Sequence, residues 1–171
     1  MNEPCPVIPS LLTSTTLRCS RFQMDALCSR ERDLSNRFVA DVAKREAKGE
    51  STQQAFLRKH QLAEDLSRTF SDRAICQTVI EAEATLPSGS MKDILRTLRS
   101  LYALTCIEDV SYLRYRYLSI DNCADVRREI AKLCHELRPH ALASVTSLGI
   151  PGAFLGPVAF NWIEANSYSS V

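Results

Sequence analysis

Seven cysteines and three histidines are the residues best suited to nucleophilic or metal chemistry in this 171-residue chain. Cys5, Cys19, Cys28, Cys76, Cys106, Cys123 and Cys134 are odd in number and widely spaced, with no C-x-x-C pair. Neither a disulfide framework nor a thiol-rich zinc site is indicated. Cys106, Cys123 and Cys134 fall on apolar helical stripes, which predicts buried free thiols in a reducing compartment. His135 follows Cys134 directly, but neighbours at i and i+1 point to different sides of a helix, so they do not make a nucleophile–base pair. His60 stands apart. His135 and His140 are five residues apart with Pro139 between them, poor spacing for two metal ligands on one face. The paired carboxylates Glu64-Asp65 and Glu81/Glu83 lie on charged faces, where solvated surface is the expectation ahead of general acid–base work. There is no Gly-rich phosphate loop, no G-x-S-x-G elbow and no H-E-x-x-H helix.

Two further clusters have a binding reading. Tyr112-Leu113-Arg114-Tyr115-Arg116-Tyr117 interleaves three tyrosines with two arginines, a pattern that can stack nucleobases or hold the adenine-phosphate part of a cofactor. It equally describes an amphipathic helix end, with tyrosines covering the core and arginines reaching water. Arg138-Pro139-His140 could bind an anion near a helix start. The simpler reading has Arg138 assisting the end of a helix while the proline fixes a corner. No residue is assigned a catalytic, cofactor-binding or metal-ligating role on these grounds.

The elements that must carry these residues are helical. From about Ser20, Leu27, Leu34, Phe38 and Val42 recur at helical spacing, predicting a helix that ends before Gly49. Ser51 is an expected N-cap for a helix over about 52–85, with Phe56, Leu62, Ala63, Leu66, Phe70, Ala74, Val79 and Ala82 inward. Pro87-Ser88-Gly89-Ser90 breaks the chain. A third helix is expected over about 91–107, with Met91, Ile94, Leu95, Leu98, Leu101, Tyr102 and Leu104 inward, then a short amphipathic piece over 108–117. Ser119 is the expected cap of a helix over 120–137, with the stripe Ile120, Cys123, Val126, Ile130, Leu133, Cys134 and Leu137. Pro139–Leu148 reads as a further helix stopped by Gly149, and two short pieces open on Pro151 and Pro157. No alternating strand pattern and no repeat occurs. The expectation is all-α: an up-down bundle of about four long helices plus short C-terminal helices. Residues 1–18 are expected as an extended lead-in and 19–171 as one helical domain. Phe154, Phe160, Trp162 and Tyr168 gather near the C-terminus, where they could cover a neighbouring domain or subunit.

Composition bounds the function. Lys plus Arg number 21 and Asp plus Glu 20, a net charge of +1. The balance holds in both halves: 12 basic and 12 acidic residues in 1–86, nine and eight in 87–171. A nucleic-acid binder or polybasic membrane protein shows a one-sided excess, so neither partner is expected. Apolar residues make up 45%, enough to bury a core. No apolar run approaches the ~20 residues of a membrane span. The N-terminus has no basic region ahead of an apolar core, so no secretory signal is read there, and Ser169-Ser170-Val171 is not the Ser-Lys-Leu peroxisomal address.

The stretch FSDRAICQTVIEAEATLPSGSMKDILRTLRSLYALTCIEDVSYLRYRYLS, residues 70–119, followed by KLCHELRPHALASVTSLGIPGAFLG, residues 132–156, resembles the C-terminal α-domain of acyl-CoA oxidases. The corner LCHELRPHALASVTSLGIP, residues 133–151, is its most specific part. RERDLSNRFVADV, the run AF…QLAEDLSRTFSDR and FNWIEANSYSSV are most similar to the plant peroxisomal medium-chain type. The resemblance covers nearly all of residues 17–171. It implies a FAD-dependent oxidation of acyl-CoA to trans-2-enoyl-CoA, with electrons passed to oxygen to give hydrogen peroxide in fatty acid β-oxidation. It implies peroxisomal location and a homodimer in the full-length form. In that family the glutamate base and the Gly-rich flavin contact belong to an earlier helical domain, and nothing here matches them; Glu164 is not promoted to that role. The chain is therefore expected to be the final piece of a longer flavoenzyme, lacking its N-terminal oxidase domains and supplying scaffold and interface. A non-catalytic helical interaction module is the alternative.

Overall fold

A computed structural model of the protein describes residues 12–108 and 118–151, and every described element is helical. We number the helices α1 (Ser14–Arg18), α2 (Ser20–Glu46), α3 (Thr52–Leu57), α4 (His60–Thr85), α5 (Ser90–Glu108), α6 (Ile120–Leu137) and α7 (Ala141–Thr146). The chain divides into two units, Met1–Leu137 and Arg138–Val171.

In the first unit the four long helices α2, α4, α5 and α6 pack in chain order, each against the next, and α2 also meets α5. The α2–α4 pair is antiparallel, because its ion pairs run in opposite directions along the two helices. Glu31 meets Arg73, and Asp41 meets Lys59. The short α1 lies against α2, α5 and α6. Segment 14–18, expected to be extended, is thus helical. Its turn is closed by Thr13, whose Oγ1 accepts the Thr16 N–H at 3.2 Å, and Leu12 and Leu17 are buried in the core. Leu27, Leu104, Ile107, Val126 and Leu133 complete that core with Ala26, Ala103, Cys76 and Cys123.

Local signals place the helix ends. Ser51 Oγ accepts the Gln54 N–H at 3.3 Å while Gln54 Oε1 accepts the Ser51 N–H at 3.5 Å, a reciprocal capping box. Ser119 Oγ accepts the Asn122 N–H at 3.1 Å, so α6 starts where its serine predicts. Gly49 ends the turn after α2 at φ +90°, a left-handed conformation that a Cβ disfavours.

Further sequence expectations are corrected. The helix expected over 52–85 is broken: Lys59 leaves the helical basin at φ −115°, ψ 21°, and its N–H bonds Phe56 O rather than the carbonyl four residues back. The break lets Lys59 reach Asp41 on α2. The inward face of α4 is also turned from the expected one. Thr69 and Cys76 are buried there, whereas Phe56 and Phe70 are about half exposed, at 49% and 54%. Phe56 instead packs edge-on against Phe38, ring centres 5.2 Å apart. On α5 and α6, Met91, Leu98, Ile120 and Cys134 face solvent, and their places in the core are taken by Arg99, Ser100, Asn122 and Glu129.

The second unit contains a 3-10 turn at Arg138–His140 and then α7. The helix expected from Pro139 therefore begins only at Ala141. It ends before Gly149, at φ +61°. Leu142, Val145, Leu148 and Ile150 are exposed. The piece over 109–117, the Tyr112–Tyr117 tract, the pieces opening on Pro151 and Pro157, the Phe154–Tyr168 aromatics and Glu164 lie outside the described residues.

Candidate functional site

Buried charge collects at three places in the first unit. In the first, Arg99 of α5 and Gln23 of α2 are both buried. Arg99 Nε donates to Glu83 Oε2 on α4 at 2.8 Å, and its guanidinium also donates to Gln23 Oε1. Gln23 Nε2 donates to the Leu17 carbonyl at 2.7 Å, and Arg96 Nε reaches Glu83 Oε1 at 3.0 Å. One network thus ties α1, α2, α4 and α5. Burial pushes the Glu83 carboxyl up, but the bonds and charges of Arg99 and Arg96 outweigh it and hold the group below its ordinary value.

In the second, the Glu129 carboxylate of α6 is 2% exposed. It accepts from Ser14 Oγ at 2.6 Å, Arg18 Nε at 2.5 Å and Lys132 Nζ at 3.2 Å. The Arg18 guanidinium also grips Glu136 with two bonds, at 2.9 and 2.7 Å. These bonds clamp α1 onto α6. Burial again opposes ionisation of Glu129, and the three donors overcome it, leaving its pKa lowered.

The third joins α2, α4 and α5. Arg30, buried, pairs with Asp72 at 3.5 Å, and Tyr102 Oη donates to Asp72 Oδ1 at 3.4 Å. Cys106 lies beside both, and burial, reinforced by the Asp72 charge, pushes its thiol up to about 12. Burial also raises the thiols of Cys28, Cys76 and Cys123.

The chemistry of these groups is structural. A general base working near neutrality needs its pKa raised towards 7. The Glu83 and Glu129 carboxyls are shifted the other way and remain ionised partners of arginine. A nucleophilic cysteine needs a lowered pKa, and the buried thiols are shifted upward. Among the described residues no three His, Cys, Asp or Glu side chains converge as a metal site, and no helix is long and apolar enough to cross a membrane.

The surface carries a groove of about 310 Å³ between α2 and α4, lined by Cys28, Glu31, Arg32, Ser35, Asn36 and Arg73. A second groove of about 450 Å³ shares Glu31 and Ser35 with it and adds Leu66, Ser67, Phe70 and Ser71. A smaller pocket of about 220 Å³, lined by Asp41, Lys44, Arg45, Lys48, Glu50 and Lys59, lies where α2 ends and the α3–α4 junction returns.

The structure does not bring the sequence candidates together. Cys134 and His135 are both exposed on α6, His60 is exposed with its Nδ1 3.1 Å from Leu57 O, and His140 is exposed in the second unit. Glu64 and Glu81 are exposed, as expected. Glu83 is not solvated surface but the acceptor of two arginines. Arg138 is exposed. Sequence reasoning missed Gln23, Arg30, Arg99 and Glu129. Their signal was a polar residue in register with an apolar stripe, as Glu129 lies between Val126 and Leu133.

The buried ionic groups of this bundle fasten one helix to another. The chain belongs to the acyl-CoA oxidase family, whose model matches residues 20–158. It is 60% identical over 172 residues to peroxisomal acyl-coenzyme A oxidase 3 of Arabidopsis thaliana, an alignment covering all of this chain and 26% of that protein. A putative peroxisomal acyl-coenzyme A oxidase 3.2 of the same plant is 59% identical, again over 26% of its length. A further putative acyl-coenzyme A oxidase from that plant is 59% identical over 171 residues, which are 91% of it. The chain thus spans about a quarter of two of these relatives and nearly the whole of the third. No solved structure matches it.

Proposed function

We propose that the chain acts as the C-terminal helical domain of a FAD-dependent peroxisomal acyl-CoA oxidase. That enzyme converts acyl-CoA and oxygen to trans-2-enoyl-CoA and hydrogen peroxide. The domain takes in α1 together with residues 19–171 and serves as scaffold and subunit-packing surface, with a homodimer as the assembled form. The observation that carries the reading is the match of the whole chain, at 60% identity, to 26% of a peroxisomal acyl-CoA oxidase, together with buried carboxylates committed to ion pairs. Peroxisomal location follows the names of two relatives.

FAD would supply hydride acceptance and delivery of electrons to oxygen. None of the three pockets described above is shaped to enclose it. The two α2–α4 grooves are open, one lined by Arg32 and Arg73 beside Glu31 and small polar side chains, the other by Leu66, Phe70 and serines beside Glu31, and the basic pocket of about 220 Å³ is too small to enclose a dinucleotide. The part left to this chain is positional: Arg99, Glu83 and Gln23 fix the mutual setting of α2, α4 and α5, and Arg18 with Glu129 fixes α1 on α6. The test is an oxidase assay of the purified 171-residue chain with added FAD and a medium-chain acyl-CoA. No peroxide is expected. Turnover above a heat-denatured control would overturn the scaffold reading.

A second reading, a non-catalytic helical interaction module, is favoured by the short relative that the chain matches over 91% of its length. Co-expression with a full-length oxidase separates the two. Stable association with its remaining domains supports the first reading, and association only with unrelated proteins supports the second.

A further inference from the structure

The basic pocket at the end of α2 is built by two separate parts of the chain. Lys44 and Arg45 come from the last turn of α2 and Lys48 from the turn after it, while Lys59 comes from the break between α3 and α4. Four cations and two carboxylates line about 220 Å³. Both carboxylates are already engaged: Asp41 with Lys59 at 2.5 Å, and Glu50 with Arg45 at 3.0 Å and Arg58 at 3.5 Å. Among the described residues neither Lys44 nor Lys48 has a carboxylate within ion-pair distance. The pocket therefore holds an excess of two positive charges, in a protein whose net charge is +1. Concave walls of one sign focus the field on the space they enclose.

Lysines near a helix C-terminus also offset the negative end of its dipole, which accounts for Lys44 and Arg45 in the last turn. It does not account for Lys59. That side chain arrives on the opposite wall because the backbone departs from helix at its own position.

We propose that this pocket is a binding site for a phosphoryl anion carrying two or more charges, a diphosphate or phosphomonoester group. Lys44 and Lys48 contribute the uncompensated charge. Lys59 and Arg45 form the walls, held in place by Asp41 and Glu50. The volume suits such a group, free or as the phosphates of a larger molecule whose remainder stays outside, and cannot enclose a whole dinucleotide. The site rests on its own geometry and charge and is independent of the oxidase reading, so either can fail without the other.

Inorganic pyrophosphate and coenzyme A are titrated separately into the 171-residue chain by calorimetry at low ionic strength. Saturable one-to-one binding is expected, weakened at least about tenfold by Lys44→Ala with Lys48→Ala, the effect of losing charge-assisted bonds. Both lysines are exposed, and circular dichroism checks that the variant folds. Arg127→Ala, which removes an exposed cation of α6, is the control and leaves affinity unchanged. Coenzyme A binding lost with the same two lysines identifies a nucleotide's phosphates as the source. Pyrophosphate binding alone identifies a free anion. No saturation with either ligand, or equal weakening by Arg127→Ala, overturns the site.

Discussion

Arg99 joins three helices inside the bundle. Its side chain is 2% exposed and serves Glu83 and Gln23 together. Truncating one partner of a buried ion pair costs about 3–5 kcal/mol, because the remaining charge is left without compensation. Arg99→Ala is therefore expected to lower unfolding stability by that amount in denaturant titration, whereas Arg127→Ala, on an exposed pair, changes it by less than about 1 kcal/mol. Glu129 gives the pH dependence. Its folded pKa lies below the ordinary 4.5, so its contribution is complete above about 4.5 and is lost as pH falls through the lowered value. Melting temperature should drop on acidification below pH 4.5. Glu129→Gln should flatten that drop while lowering stability at neutral pH. An unchanged acid slope in the variant would mean that the α1–α6 clamp is not a source of acid sensitivity.

At the scale of the helix, local signals and long-range ones differ in how far they can be read. The caps at Ser51 and Ser119 and the stop at Gly49 were legible because each is decided within about four residues. Loss of the Ser119 hydroxyl should cost ~1 kcal/mol, measurable in Ser119→Ala. The inward face of α4 was not legible. The core side of that helix carries Thr69, Asp72, Cys76 and Glu83, which a hydrophobicity pattern turns outward, and their partners lie on other helices: Asp72 pairs with Arg30, 42 residues away. Gln23 and Arg99 are likewise 76 residues apart and Ser14 and Glu129 115. A polar residue on a buried face becomes intelligible only when its partner is known. Hence Phe70→Ser, a core change by sequence pattern, should alter stability by less than about 1 kcal/mol. Leu104→Ala and Leu133→Ala should each cost ~2–5 kcal/mol. Comparable losses for Phe70 and Leu104 would place the expected stripe of α4 back in the core. The break at Lys59 left no trace in the sequence either, since no glycine or proline occurs between Thr52 and Thr85.

For the molecule as a whole, every described member of the main core cluster lies between Leu12 and Leu133. A chain ending at Leu137 should keep a single cooperative melting transition by circular dichroism, and a broad, non-cooperative one would show that the core needs residues beyond it. The near-zero net charge suits a domain held by internal ion pairs, and it sets off the pocket at the end of α2, where cations exceed acids by two. The cysteines bear on how such a domain would age. Hydrogen peroxide, a product of the proposed reaction, oxidises thiolates rather than thiols. Helix packing keeps Cys28, Cys76, Cys106 and Cys123 protonated well above neutral pH, which makes these four poor targets while the bundle is folded. Peroxide sensitivity then becomes a property of unfolding: sulfenic acid at Cys76 or Cys106 should accumulate at the rate at which the core opens, so that chemical damage to the interior records how often each molecule has come apart.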